Sequence, residues 1–391
     1  MRFEFATATR IIFGAGTFRD VGSLAAPLGR HALVVGGKTP ARLQPLLDRL
    51  RAQGLATTPF SVPGEPTTDL VRAGVERARA AGCDCVIGMG GGSVLDAGKA
   101  IAALLTNPGD LLDYLEVVGQ GKSLAQPSAP YLAIPTTAGT GSEVTRNAVL
   151  GVLRQRVKVS LRSPYLLPQV ALVDPELTYD LPPAVTAWSG MDALTQCVEP
   201  YVAPQANPLT DAFCREGIQR AAHALPRAFH DGGDRAARAE MALASLCGGL
   251  ALANAKLGAV HGLASPLGGM FPAPHGAVCA RLLPLVMAVN LQALEERAPD
   301  APALQRYGDI ARLLTGDATA QPADGVAWVQ ALCHELAVPS LAHFGVTEAE
   351  LPEVVVQAQR ASSMQGNPIV LTTDELGQIV QQAVRVEGDQ K

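Results

Sequence analysis

Aromatic side chains are scarce, at 4% of the 391 residues. No aromatic or methionine stripe exists of the kind that docks a partner helix. Charge of one sign is lacking too. Against 36 acidic side chains stand 31 basic ones, a formal charge of -5. With no basic field, nucleic acid and anionic membrane are poor partners. Cysteine is sparse, odd in number and scattered: Cys83, Cys85, Cys197, Cys214, Cys247, Cys279 and Cys333. That density excludes a disulfide scaffold and reads as seven reduced thiols in a cytoplasmic protein. No run reaches the roughly 18 apolar residues of a membrane span. The N-terminus, MRFEFATATRIIFGAG, lacks the charged leader and long apolar run of a signal peptide.

What is present is core-forming material, with 48% hydrophobic and 17% charged residues. At roughly 100–200 residues per domain, the chain has room for two or three. Glycine (39) and proline (29) are abundant, which predicts many tight turns and helix boundaries.

The first 180 residues alternate strand and helix signals. Strands are expected at His31–Gly36, Thr57–Val62, Cys83–Met89, Tyr131–Ile134 and Val170–Val173. Helices are expected around Leu43, Leu46, Leu47 and Leu50, over Thr68–Ala81, and after the glycines that follow Met89. Strands separated by helices imply parallel pairing in a doubly wound sheet. From Pro182–Pro183 onward helical spacing takes over, as in Leu376, Ile379, Val380, Ala383 and Val384. Pro183 suits a first helical turn and Pro200 a stop. The expected division is an α/β dinucleotide-binding domain over 1–180 and an all-α domain over 181–391.

Gly88-Met89-Gly90-Gly91-Gly92-Ser93 follows a strand and opens a helix. Three successive glycines let backbone N–H groups approach an anion at a helix N-terminus. Ser93 would donate to a phosphate oxygen or cap the helix. The spacing to Gly98-Lys99 is one residue too long for a Walker loop, and Ala100 stands where Ser or Thr belongs. Gly36-Gly37 ends the first buried strand, where an acidic residue would bind a ribose 2′-hydroxyl and repel a 2′-phosphate. Glycine repels nothing, and Lys38 would attract a phosphate, so the cofactor leans to NADP over NAD. A second small-polar cluster, Pro135 to Glu143, offers Thr136, Thr137, Thr140 and Ser142 to phosphate, ribose or nicotinamide; a capped loop entering a helix would look the same.

Asp192 and Gln196 lie four apart in the helical stretch Val185–Glu199, so they share a face. His261 sits in an apolar stretch and His275 between Pro274 and Gly276, at a helix entrance. One carboxylate and two imidazoles suit zinc or ferrous iron with a position left for substrate. Spacing alone leaves the alternative of a hydrogen-bonded core histidine open.

Together GGGSVLDAGK (Gly90–Lys99), IPTTAGTGSEVT (Ile134–Thr145), VDPELT (Val173–Thr178), GMDALTQCVEPY (Gly190–Tyr201), VHGLASPLGGMFPAPHG (Val260–Gly276) and SSMQGNP (Ser362–Pro368) resemble the iron-containing (group III) alcohol dehydrogenase family. The resemblance spans residues 10 to 385 in order. It implies the two domains above with the active site in the cleft between them. It implies that Gly91, Gly92 and Ser93 hold a pyrophosphate, that Thr136, Thr137 and Thr140 lie along the cofactor, and that Lys158 contacts its ribose; Gly37, Lys38, Gly90, Asp96 and Ser142 are further expected cofactor contacts. The family's metal is held by one Asp and three His. Asp192, His261 and His275 match three of these positions, and Gln196 stands at the fourth. Ser265 replaces a further family histidine, and Glu65-Pro66-Thr67 replaces Asn-Pro-Thr. Gln196 is then a ligand, or three groups and water hold the metal, or the site works without one.

The resemblance implies hydride transfer between NAD or NADP and a small alcohol/carbonyl pair, assisted by Fe2+ or Zn2+. Asp192, His261 and His275 carry the chemistry, with Ser265, water or a ribose hydroxyl delivering the proton. Alternatives are a maleylacetate reductase, for which Arg146 and Arg162 are the candidate anion contacts, a non-redox lyase of the dehydroquinate synthase kind, and a silent cofactor-binding protein. A homo-oligomer, a dimer first, is expected, with Met1–Ile12 supplying an edge strand.

Overall fold

The computed structural model describes residues 2–385. Met1, part of the expected edge segment, and residues 386–391 of the expected second domain lie outside the described residues. The chain forms β1 (Arg10–Phe13), α1 (Val21–Ala25), β2 (His31–Gly36), α2 (Gln44–Ala52), β3 (Ala56–Ser61), α3 (Thr68–Ala81), β4 (Cys85–Gly90), α4 (Gly92–Thr106), α5 (Leu111–Tyr114), β5 (Tyr131–Pro135), β6 (Asn147–Val152), β7 (Val157–Arg162) and β8 (Val170–Val173). Helices follow: α6 (Pro183–Val202), α7 (Pro208–His230), α8 (Arg235–Asn254), α9 (Ala259–Met270), α10 (His275–Arg297), α11 (Pro302–Thr315), α12 (Pro322–Glu335), α13 (Leu351–Arg360) and α14 (Thr373–Val384).

Two compact units result. The first runs from Ala6 to Asp180 without residues 138–140, and the second holds those three, the stretch ending at Phe5, and everything described from Leu181 onward. Residues 138–140 go with the helices because Gly139 packs against α6: a Cβ there would lie 2.8 Å from the Ser189 Cβ.

In the α/β unit six strands pair in parallel, in the order β1-β8-β5-β4-β2-β3. The strands are continuous apolar runs because both faces are covered. Ala32 and Val34 of β2 pack with α1 and α2, while Leu33 and Val35 pack with α3 and α4. β4 begins two residues later than the sequence suggests. Asp84 is spent on the turn before it, accepting from the Arg30 and His31 N–H groups at 2.9 Å. β1 is narrower than the expected edge segment and pairs with β8 inside the chain's own sheet. An antiparallel hairpin, β6–β7, was not expected.

Two helix-end expectations are corrected. Pro200 does not stop α6, which runs on to Val202; so near the end, proline removes only one helical bond. Ser93 is not a cap. Gly91 takes the N-cap position of α4 with no side-chain bond, and Ser93 lies in the first turn. Helices α8 and α10 are long and apolar enough to cross a bilayer, but most of each is buried against the rest of the protein.

Lys99 is a buried strut rather than a phosphate lysine. Its Nζ donates to the Ser142 carbonyl and Thr145 Oγ1, each at 3.0 Å, and to the Asn147 carbonyl, and lies 3.1 Å from Asp96 Oδ1. Asp96 also accepts from the Ser142 hydroxyl at 2.5 Å and the Val149 N–H at 2.9 Å. Next to this network Glu143 is 2% exposed, and burial pushes its pKa up to about 7, against the pull of Lys99.

A raised acid pKa stabilises the fold fully below the unfolded value, near 4.5, and loses that contribution as pH climbs through about 7. Glu143→Gln should therefore flatten thermal stability between pH 5 and 8 and gain up to about 3 kcal/mol at pH 8. Melting curves across that range check it; a variant that parallels the parent contradicts it.

Candidate metal centre and cofactor loops

One face of α6 carries Asp192, Gln196 and Glu199, spaced four and three residues apart. Small residues let neighbouring helices close on it. A Cβ on Gly248 of α8 would stand 3.1 Å from the Gln196 Cβ, and one on Gly276 of α10 would stand 2.4 Å from the Trp188 carbonyl. His261 lies in the first turn of α9. His275 opens α10, and Cys279 follows one turn later on the same face.

Glu199 fixes His261. Its Oε2 lies 2.6 Å from His261 Nδ1, and its Oε1 accepts the Val260 N–H at 2.7 Å. Asn367, from the SSMQGNP segment, accepts the Ala259 N–H at 3.1 Å and pairs with Asn290 of α10. Two otherwise unmatched donors at the start of α9 are thus satisfied by side chains. A carboxylate has no proton to give, so in the neutral ring Nδ1 carries the proton and Nε2 has the lone pair to offer a cation.

Nε2 faces further acceptor atoms. His261 Nε2 is 3.4 Å from Asp192 Oδ1 and 3.9 Å from Cys279 Sγ; His275 Nε2 is 3.8 and 3.6 Å from the same two atoms. All four ligand atoms lie within 4.8 Å of one another. Asp192 Oδ1 and Gln196 Oε1 are buried without a hydrogen-bond partner. Unmatched buried acceptors cost about 1–3 kcal/mol each. A divalent cation would satisfy them together, so the residues fit one.

The titration behaviour expresses the same demand for positive charge. Burial disfavours both imidazolium forms, yet Cys279, with Glu199 at His261 and Asp192 at His275, outweighs it; both pKa values rise, that of His261 far above the usual range. Burial opposes ionisation of Asp192, but His275, His261 and Gln196 hold its pKa below the usual carboxylate value. His275 is 33% exposed against 2% for Asp192, so the group opens on the His275 side. Ser265 is half-buried one turn beyond His261 on α9.

The glycine loop lies at the end of β4. Gly90 ends the strand, and Gly92 begins α4, whose first turn carries no acid. The Thr136 N–H donates to the Gly90 carbonyl at 3.0 Å, and a Cβ on Gly91 would sit 3.3 Å from Thr137 Oγ1. Gly90, Gly91, Gly92, Ser93, Thr136 and Thr137 are therefore gathered at the ends of adjacent strands, whereas Thr140 groups with the helices. Gly37 and Lys38 follow β2, with Lys38 exposed and the Ser61 hydroxyl donating to the Gly37 carbonyl. Asp96 and Ser142 are engaged with each other and with Lys99. Lys158, on β7, pairs with Glu65 at 3.0 Å, and the Gly151 N–H donates to the Pro66 carbonyl, tying the departing Glu-Pro-Thr segment to the hairpin. Arg162 pairs with Glu116 on an exposed surface.

Glu199, Cys279 and Asn367 were missed as site residues. The signals were a carboxylate seven residues after Asp192 and a cysteine four after His275.

Two family models match consecutive parts of the chain: iron-containing alcohol dehydrogenase over residues 8–175, and the C-terminal domain of the Fe-containing alcohol dehydrogenase family over 186–384. The 1,3-propanediol dehydrogenase of Klebsiella pneumoniae is 36% identical over 394 residues, covering 97% of this chain and 98% of that protein. A crystal structure of 1,3-propanediol oxidoreductase superposes with a TM-score of 0.90 at 35% identity, covering 98% of this chain and 100% of the other. Sulfoacetaldehyde reductase from Bifidobacterium kashiwanohense, solved with NAD+, superposes with a TM-score of 0.87 at 28% identity over 99% and 100%. The chain belongs to the iron-containing alcohol dehydrogenase family. It is an oxidoreductase acting on CH–OH groups.

Glu199→Gln tests the clamp. Loss of the carboxylate partner should weaken metal binding roughly 10–100-fold, read by chelator competition. Unchanged affinity would show that the ring is held by something else.

Proposed function

We propose that this enzyme transfers hydride reversibly between NAD(P)H and a small aldehyde or ketone, with Asp192, His261 and His275 holding a divalent metal, Fe2+ or Zn2+, and Gln196 beside it. The observation that carries this is the convergence of Asp192, His261 and His275, with their ligand atoms within 4.8 Å of one another and the buried Asp192 Oδ1 left without a hydrogen-bond partner. A cation held by these residues would supply Lewis-acid polarisation of a carbonyl and stabilisation of charge on its oxygen. Asp192 contributes the anionic ligand. His261, its tautomer set by Glu199, offers Nε2. His275 bounds the open side, where substrate would approach. Ser265, water or a cofactor ribose hydroxyl delivers the proton.

The cofactor reading rests on the glycine loop: N–H groups at the α4 N-terminus take the pyrophosphate, with Ser93, Thr136 and Thr137 around it. Asp96 and Ser142 serve this indirectly, by holding the loop through Lys99, and Thr140 and Lys158 complete the set. Gly37 and Lys38 favour NADP, since no acid at that strand end opposes a 2′-phosphate. Free thiols at all seven cysteines suit a reducing compartment and support a cytoplasmic location. The partly exposed Ile11 and Phe13 on edge strand β1 support self-association.

Oxidation of NADPH and NADH with a panel of aldehydes and ketones tests the reaction. Turnover is expected with at least one small carbonyl, and Asp192→Asn should lower kcat/KM at least about 100-fold while cofactor still binds. No turnover with any carbonyl, despite cofactor binding, would overturn the reading. Lys38→Glu should raise the KM for NADPH about tenfold and leave NADH unaffected. Equal effects on both cofactors would remove Lys38 from phosphate recognition.

A further inference from the structure

We propose that Cys279 is the fourth ligand of the metal centre, taking the place that Gln196 fills poorly, and that its thiolate biases the centre toward zinc. This rests on the metal-centre reading above. His275 and Cys279 are four apart on α10, a spacing that lets two side chains on one helical face reach one ion. Both side chains lean into the space occupied by Asp192 Oδ1 and His261 Nε2.

The distances bear on geometry. With Zn–S near 2.3 Å and Zn–N or Zn–O near 2.1 Å, a tetrahedral ion sets its sulfur and nitrogen ligands about 3.6 Å apart and its nitrogen and oxygen ligands about 3.4 Å apart. Here Cys279 Sγ lies 3.6 and 3.9 Å from the two imidazole Nε2 atoms, and Asp192 Oδ1 lies 3.4 and 3.8 Å from the same pair. These four edges lie within about 0.4 Å of that geometry, and all four atoms lie within 4.8 Å of one another.

Charge and softness point the same way. A thiolate and a carboxylate neutralise a divalent ion, whereas the Gln196 amide is a neutral donor. Thiolate ligands favour zinc, and zinc also lies above ferrous iron in general affinity. Gln196, one helical turn from Asp192 on α6, can hydrogen-bond it instead. With four protein ligands, substrate would enter as a fifth, a coordination number that catalytic zinc reaches in transition states.

The test reconstitutes chelator-treated full-length protein with Co2+ and compares the parent with Cys279→Ser and Gln196→Ala, each checked for folding by circular dichroism. A sulfur-to-cobalt charge-transfer band in the near ultraviolet is expected in the parent. It should persist in Gln196→Ala and vanish in Cys279→Ser. Under anaerobic competition of equal Zn2+ and Fe2+, Cys279→Ser should lower the bound zinc-to-iron ratio at least about tenfold. Cobalt bound without that band, or an unchanged zinc-to-iron ratio in Cys279→Ser, overturns the proposal and leaves the metal centre standing. Failure of the folded parent to bind cobalt, zinc or iron overturns the centre itself.

Discussion

Acceptor atoms crowd together in a buried space with too few protons to share among them. Asp192 Oδ1, His261 Nε2, His275 Nε2 and Cys279 Sγ meet there, and the Glu199 clamp has already taken the one ring proton of neutral His261. Such an arrangement is costly unless positive charge occupies it. The helical unit accepts that cost here and satisfies backbone groups beside it. Glu199 and Asn367 cover the N–H groups at the start of α9, and Asn290 holds Asn367 in turn.

Small residues make the crowding possible. α6 is buried along its length from Gly190 to Val202. Gly248 and Gly276 let α8 and α10 come within backbone contact of it, which brings His275 opposite Asp192. The α/β unit solves a different problem. Its glycines clear the end of β4 so that N–H groups at the head of α4 stay available, while Lys99 and Asp96 pin the following loop from behind. In both units, buried polar side chains hold their neighbours in place: Lys99 and Asp96 the Ser142–Val149 stretch, Glu199 and Asn367 the start of α9.

Much of the sheet could be read from the chain alone. Strands covered on both faces are continuous apolar runs, and His31–Gly36 and Val170–Val173 stand out for that reason. The β6–β7 hairpin could not. Its strand Asn147–Val152 is only half-buried, and its turn has no glycine or asparagine: Arg156 takes the left-handed conformation at φ 53 instead. Asp192, His261 and His275 come from three separate helices, so spacing could not join them and only resemblance did. Cys279 escaped because a small buried thiol in an apolar helix has the pattern of core packing. Glu199 escaped because its role appears only when α9 is laid against α6. Pro200 misled because its cost is small when the helix has only two residues left to run.

The central claim is that a single cation joins those atoms. Anomalous diffraction from crystals of the metal-loaded enzyme, recorded on either side of the iron and zinc absorption edges, tests it most directly. The account predicts one strong peak within bonding distance of Asp192 Oδ1, His261 Nε2 and His275 Nε2. A well-ordered group with no peak, its histidines hydrogen-bonded to Asp192 instead, would contradict it.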